Sequence, residues 1–198
     1  MKGLLLDTTL KEGYVVAFDG DREVVHYLDP SLSTQSALIP ACKAALSVLS
    51  ITTKDLEGIV AVVGPGSFTG IRIGVTFANA TAFALGLPRY AVTSFELMQA
   101  IRPEAPAFSI EAGHDSFYVA VADKGSLLQK NMDKAELPVG TVAQSELKNE
   151  LSRGALLVAK KAFEERAYSA CAPTHETDLL KPNYMRKSQA ERLKEEKK

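Results

Sequence analysis

The apolar positions change their period several times along the chain, and each change marks an element. Residues 3–7 (GLLLD) form a short apolar run ending in an acid. Residues 13–19 (GYVVAFD) and 22–28 (REVVHYL) are β-branched and aromatic runs separated by Asp19-Gly20-Asp21. A turn of that composition between two such runs predicts a hairpin, so three strands in an antiparallel meander are expected. From Ser33 to Ser50 the period becomes helical: Leu38, Cys42, Ala45 and Leu49 share one face, with Ile39 and Leu46 beside it. Pro40 removes a backbone donor inside this segment and predicts a kink or a later helix start. TTKD at 52–55 predicts a capped single turn. Residues 58–63 (GIVAVV) are apolar without alternation, as in a parallel strand buried on both faces. A glycine-rich turn follows, then a long apolar helix to about Leu85, ended by Gly-Leu-Pro at 86–88. Residues 89–92 predict a short strand and 94–101 a short helix.

The pattern then starts again. Residues 106–111, 116–122 and 126–130 predict three strands, with Asp123-Lys124-Gly125 as a hairpin turn. Residues 142–151 are helical by composition, and 154–159 (GALLVA) predict another buried strand. Residues 187–198 (KSQAERLKEEKK) are charge-dense with one leucine, and a frayed or disordered tail is expected. Strand, strand, strand, helix, strand, helix, given twice, is the layout of the actin, sugar-kinase and heat-shock-chaperone superfamily. The expected fold is therefore α/β and duplicated, with a lobe at 1–102, a smaller lobe at 103–186 and a charged tail at 187–198.

Bulk composition narrows the functional classes. The chain has 198 residues, 46% hydrophobic and 24% charged, which is ordinary for a globular protein. Its net charge of -1 gives the chain as a whole no electrostatic footprint for nucleic acid. Cys42 and Cys171 are far apart and match no metal or redox spacing, so two free thiols in a cytoplasmic protein are expected. The N-terminal apolar run is too short for a signal-peptide core, and no apolar run is expected to span a membrane.

The glycine-rich turn, VVGPGSFTGIRIG at 62–74, is the candidate for chemistry. It fails the Walker spacing, because Gly64 to Gly70 is one residue too long and Ile71-Arg72 follow. Thr69 breaks the dinucleotide fingerprint, and Pro65 and Thr69 break the hydrolase elbow around Ser67. Two readings stay open. Ser67, Thr69, Gly70 and Arg72 at a helix N-terminus, with Asp7 at the end of the first strand, would form an anion or nucleotide site. Alternatively the glycines permit a tight corner and Ser67 or Thr69 caps the helix. In the helix itself, Gly70, Gly74, Ala78, Ala82 and Gly86 recur every four residues and form a ridge of small side chains. Interior glycines cost about 0.5–1 kcal/mol each, so something is expected to pack closely there, either the same lobe or a partner.

These stretches carry a family resemblance. GPGSFTGIRIG with its preceding strand, LLLDTT near the N-terminus and KPNYMR at 181–186 together resemble the TsaB (YeaZ) family, which takes part in making threonylcarbamoyladenosine beside the tRNA anticodon. The resemblance covers residues 1 to about 122 and 179–188, and is strongest over 58–98. It departs from the family at Thr34-Gln35, where a histidine-serine pair is common, and in EAGHDSFY at 111–118, where Glu111 and Tyr118 fit but an arginine is missing.

The resemblance implies a non-catalytic paralogue of TsaD, the subunit that carries the chemistry. TsaD-type proteins hold metal through two histidines spaced four apart; Ser94 and Met98 stand at those positions here, and His26, His114 and His175 are isolated. No metal is therefore expected, and a metalloprotease reading fails on the same two positions. The implied role is a scaffold that binds a TsaD-type subunit through the helices at 34–50 and 70–86, and forms a homodimer without it. Leu38, Cys42, Ile71, Gly74, Val75, Ala78 and Ala82 are the expected contact residues. A TsaE-type ATPase is the expected third component, tRNA contact comes only through the complex, and no cofactor is expected beyond ATP or ADP held mainly by partners. The alternative is an independent ATPase or small-molecule kinase using Asp7 and the loop at 64–70; Asp7-Thr8-Thr9 lacks the glycine turn usual in such kinases.

Overall fold

The computed structural model describes residues 1–113, 115–123, 126–166 and 179–185. Three strands, β1 (Lys2–Asp7), β2 (Tyr14–Asp19) and β3 (Arg22–Tyr27), form the expected meander. Then come helix α1 (Thr34–Val48), β4 (Gly58–Val62), helix α2 (Phe68–Leu85), β5 (Arg89–Val92) and helix α3 (Ser94–Ile101). The five strands make one sheet in the order β3-β2-β1-β4-β5, with β4 parallel to both β1 and β5. Every residue of β4 is buried, because this inner strand has packing on both faces; its lack of alternation follows from that.

The second sheet repeats the first. β6 (Ala107–Gly113), β7 (Ser116–Asp123) and β8 (Ser126–Asp133) are antiparallel neighbours, and β9 (Thr141–Ala143) pairs parallel with β6. The order β8-β7-β6-β9 is that of β3-β2-β1-β4. The duplicated α/β layout of the actin, sugar-kinase and heat-shock-chaperone superfamily is thus present, with a second half that shows four strands among the described residues and has a short turn at Lys134–Glu136 where the first half has α1.

Two cores sit on the two faces of the first sheet. On one face, Leu4, Leu6, Val15, Ala61 and Ile59 pack against α1 and α2. On the other, Leu5, Tyr14, Val16, Phe18 and Val60 pack against α3, the second sheet and a last helix, α4 (Leu151–Arg166). α4 follows the second sheet in sequence but lies on β5, β2 and β1 of the first, with Phe163 edge-on to Phe18.

Several expectations change here. Residues 154–159 are not a strand, and 142–151 are not one helix: β9 and a turn at Gln144–Leu147 precede α4, which runs through 154–159. Leu151, Ala155, Ala159 and Phe163 are buried at a four-residue spacing while Leu157 is exposed, so the apolar run is one face of a helix. Pro40 does not delay α1; the helix starts at Thr34, with Ser33 as its cap accepting from the Ser36 amide, and Pro40 lies on its exposed side. α2, at 18 residues, is long and apolar enough to cross a membrane by length and composition, contrary to the expectation that no run would be. One side of it is seated in the core, which accounts for much of that composition. The turn at 124–125, His114, Cys171, His175, Arg186 and the tail at 187–198 lie outside the described residues.

Candidate functional site

The strand β4 delivers the chain into the turn at Gly64–Ser67, and α2 leaves it. Ser67 caps α2, its hydroxyl accepting from the Gly70 amide at 3.2 Å. The Ser67 amide donates to the Thr9 carbonyl at 2.8 Å, and the Ser94 hydroxyl donates to the Pro65 carbonyl at 2.7 Å. Gly64 has φ of 112°, and a Cβ there would lie 2.9 Å from the Asn183 carbonyl. The turn is held from three directions by its own chain.

The small-residue ridge of α2 is explained by the same turn. The Thr8 hydroxyl donates to the Gly70 carbonyl at 2.7 Å. A Cβ on Gly70 would collide with the Thr8 carbonyl oxygen, and one on Gly74 with the Thr8 hydroxyl. The helix needs glycine at both positions to lie this close to the end of β1.

This placement corrects the expected partner interface. Leu38, Cys42, Ile71, Val75, Ala78 and Ala82 are all between 0 and 5% exposed, and Gly74 is buried with them. They lie in or against the core between the two helices and the first sheet, and of the seven only Leu38 also lines the groove between α1 and α2. The Cys42 thiol is pushed up to about 12 by burial, which keeps it neutral and unreactive.

The outer sides of the same helices are the exposed ones. Ile39 on α1 is 49% exposed and Phe83 on α2 is 78% exposed, with Phe68 and Leu85 also open to solvent. Leu38, Ile39, Ile73, Phe77 and Ala80 line a groove of about 510 Å³ between α1 and α2, together with Gln35, Thr69, Thr76 and Arg72. Arg72 is the one charged residue among the described residues of that lining. Its guanidinium lies 5.8 Å from the centre of the Phe68 ring, which stacks on Tyr184 with centroids 4.5 Å apart. Apart from Leu38, the residues that sequence periodicity marks on these helices belong to the core side, because small and apolar residues serve a core as well as an interface. Ile39 and Phe77 were visible as apolar residues off the small ridge.

Of the expected anion-site residues, Asp7, Ser67 and Gly70 meet around Thr8–Thr9, while Thr69 and Arg72 line the α1–α2 groove. Asp7 is 1% exposed and accepts from the Thr9 amide at 2.9 Å and the Thr9 hydroxyl at 2.7 Å. Burial raises its carboxyl above the usual range, opposed by those two hydrogen bonds. Ser67 and Gly70 are engaged in the cap. Thr69 and Arg72 face the α1–α2 groove. Ser94 and Met98 have structural roles: Ser94 ties down Pro65, and Met98 is wholly buried in the second core.

A second cavity, of about 620 Å³, lies between the two sheets, lined among others by Leu10, Tyr14, Tyr27, Ser109, Phe117 and Leu151. Two lysines, Lys11 and Lys148, and two glutamates, Glu12 and Glu111, line it as well, so its charges balance. Lys148 and Glu12 pair at 2.8 Å. Asp7 is not among the lining residues; it is buried and bonded to Thr9.

Comparison with known proteins bears on this geometry. The family model described as "TsaD: tRNA N6-adenosine threonylcarbamoyltransferase" matches residues 31–139, more than half of the chain and a span that includes α1 and α2. The tRNA threonylcarbamoyladenosine biosynthesis protein TsaB of Bacillus subtilis is 38% identical over 91 residues, 46% of this chain and 37% of that protein. The chain thus matches less than half the length of the curated relatives. Among solved structures, a Pseudomonas aeruginosa protein described as similar to peptidase YEAZ superposes with a TM-score of 0.71 at 21% identity, covering 93% of this chain and 99% of that one. YeaZ of Pseudomonas aeruginosa superposes with a TM-score of 0.59 at 24% identity, over 73% of this chain and 72% of its own. At these identities the two structures show the shared fold. With the family match and its turn–helix unit, the chain belongs to the TsaB (YeaZ) family of tRNA threonylcarbamoyladenosine biosynthesis proteins.

Proposed function

We propose that this chain is a non-catalytic subunit that binds a TsaD-type catalytic subunit in tRNA threonylcarbamoyladenosine formation, and that it forms a homodimer when that partner is absent. The observation that carries the reading is the apolar groove between α1 and α2, with Ile39 exposed and Ile73 and Phe77 half-buried, and the exposed Phe83 further along α2. Side chains of this kind, grouped along one groove, are the ordinary mark of a protein–protein surface. Family membership favours a TsaD-type subunit as the occupant, and Arg72, the one charged residue lining the groove, favours a partner helix that is apolar with one carboxylate. A TsaE-type ATPase is the third component, tRNA is contacted through the complex, and the complex works in the cytoplasm without a membrane. ATP or ADP, where present at the interface, is held mainly by partners.

Asp7 gives the independent ATPase or kinase reading little support, since its carboxyl is buried and already bonded to Thr9. The test is reconstitution. The chain is co-purified with the candidate TsaD-type and TsaE-type proteins, and tRNA modification is assayed with and without it. The proposal expects a stable complex and modification that depends on this chain. Full modification without it, or magnesium-ATP turnover by the chain alone that vanishes in Asp7→Ala, overturns the proposal.

A further inference from the structure

Residues 179–185 cross the junction between the two sheets. The Leu180 amide donates to the Asn79 side-chain oxygen at 2.9 Å, and the Asn79 side-chain amide returns a bond to the Leu180 carbonyl at 3.0 Å. Leu180 itself is buried in the first core. The Asn183 amide donates to the Val63 carbonyl at 2.7 Å, directly before the glycine turn. At this point the segment turns to the other sheet. The Asn183 side chain donates to Gln129 Oε1 at 2.9 Å, and Asn131 donates to the Met185 carbonyl at 2.8 Å. Gln129 and Asn131 both belong to β8, the outer strand of the second sheet. Between these two sets of bonds, Tyr184 stacks on Phe68 at the start of α2, beside Arg72 and hence beside the groove.

We propose that residues 179–185 are a strap that joins the partner-binding face to the second sheet, so that a subunit seated on α1 and α2 steadies β8 through Tyr184 and Asn183. This rests on the reading of that face as the TsaD-type docking surface. Tyr184 is then part of the docking surface itself, at the end where Phe68 and Arg72 stand. A partner that covers the Phe68–Tyr184 stack removes the freedom of the ring pair. Asn183, one residue away, loses freedom with it, and so does its bond to the β8 side chain Gln129. Coupling of this kind needs a contiguous chain of contacts with a differential response to the ligand, and each contact of that chain is named above.

Hydrogen exchange of β8 (Ser126–Asp133), with and without the TsaD-type subunit, tests the strap. The expected result is several-fold slower exchange in β8 on binding, although β8 lies outside the helices that dock. Tyr184→Ala is expected to bind more weakly and, at saturating partner, to lose the slowing; Tyr184→Phe keeps the stack and should retain it. Asn183→Ala with Asn131→Ala, which together cut both side-chain links between the strap and β8, should lose the slowing with docking unchanged, and the pair serves if Tyr184→Ala does not fold. Unchanged β8 exchange in a complex that does form, or slowing that survives the Asn183→Ala, Asn131→Ala double variant, overturns the strap while leaving the docking surface standing. No binding by the unmodified chain overturns both.

Discussion

Thr8 and Gly70 are 62 positions apart in sequence, yet the Thr8 hydroxyl donates to the Gly70 carbonyl at 2.7 Å, and no side chain fits between them. That contact locks the end of β1 to the first turn of α2. It decides which side of α2 is core and therefore which side is left for another protein.

Adding a methyl group should break that contact. Gly74→Ala brings a Cβ into the Thr8 hydroxyl and is expected to destabilise the fold by about 1–3 kcal/mol, the usual cost of overpacking. Thr8→Ala removes the atom that is struck, so the double variant should lose less than the sum of the two single changes. Urea unfolding of all four proteins checks this, and strict additivity would count against direct contact.

Asp7 should make stability depend on pH. Its folded carboxyl is raised by burial, so the folded state favours the protonated form. The stability it contributes is fully present below the unfolded carboxylate value and is lost as pH rises through the folded one. Asp7→Asn cannot ionise, so its stability relative to the native chain should improve as pH goes from about 3.5 to 7. A gap between the two that stays constant over that range would refute the assignment.

Cys42 should resist thiol reagents in the folded protein. Its pKa, pushed up to about 12, leaves it uncharged at neutral and mildly alkaline pH. In a Cys171→Ser background, labelling at pH 8 is expected to be slow and to become fast on addition of denaturant. Prompt labelling of the native protein would place Cys42 at an accessible surface after all.

Asn79 should hold residues 179–185 to the body of the protein. Asn79→Ala removes both side-chain bonds to Leu180 and should cost about 1–3 kcal/mol. Limited proteolysis should then cut near 179–185 much faster than in the native chain; equal cleavage rates would mean that the other contacts suffice.

Most of the fold was legible in sequence where local pattern and tertiary environment agree. β1 to β5 and α1 to α3 lie close to their expected positions, because β4 is buried on both faces and reads as continuous apolar sequence, and α3 has a Thr93–Glu96 capping box. The second half was harder. GALLVA at 154–159 carries the same composition as a buried strand, and only the burial of Ala159 and Phe163 with exposure of Leu157 shows the helical period. β9 has three residues and no pattern of its own to find. In the candidate site, the glycine turn and the helices were found, but their orientation was not. Whether Gly70 and Gly74 face a partner or Thr8 depends on a contact from the end of a distant strand, and periodicity holds no information about that contact.

The central claim is that the outer side of α1 and α2 holds a TsaD-type subunit while the small-residue side belongs to the core. Ile39→Glu with Ala80→Glu places two charges on the groove at exposed positions. Binding of this variant to the TsaD-type subunit, measured by titration calorimetry alongside its thermal unfolding, tests the claim most directly. The account predicts an unchanged melting temperature and affinity at least about tenfold weaker, as expected for charges placed in an interface centre. A folded variant that binds at full affinity would contradict it.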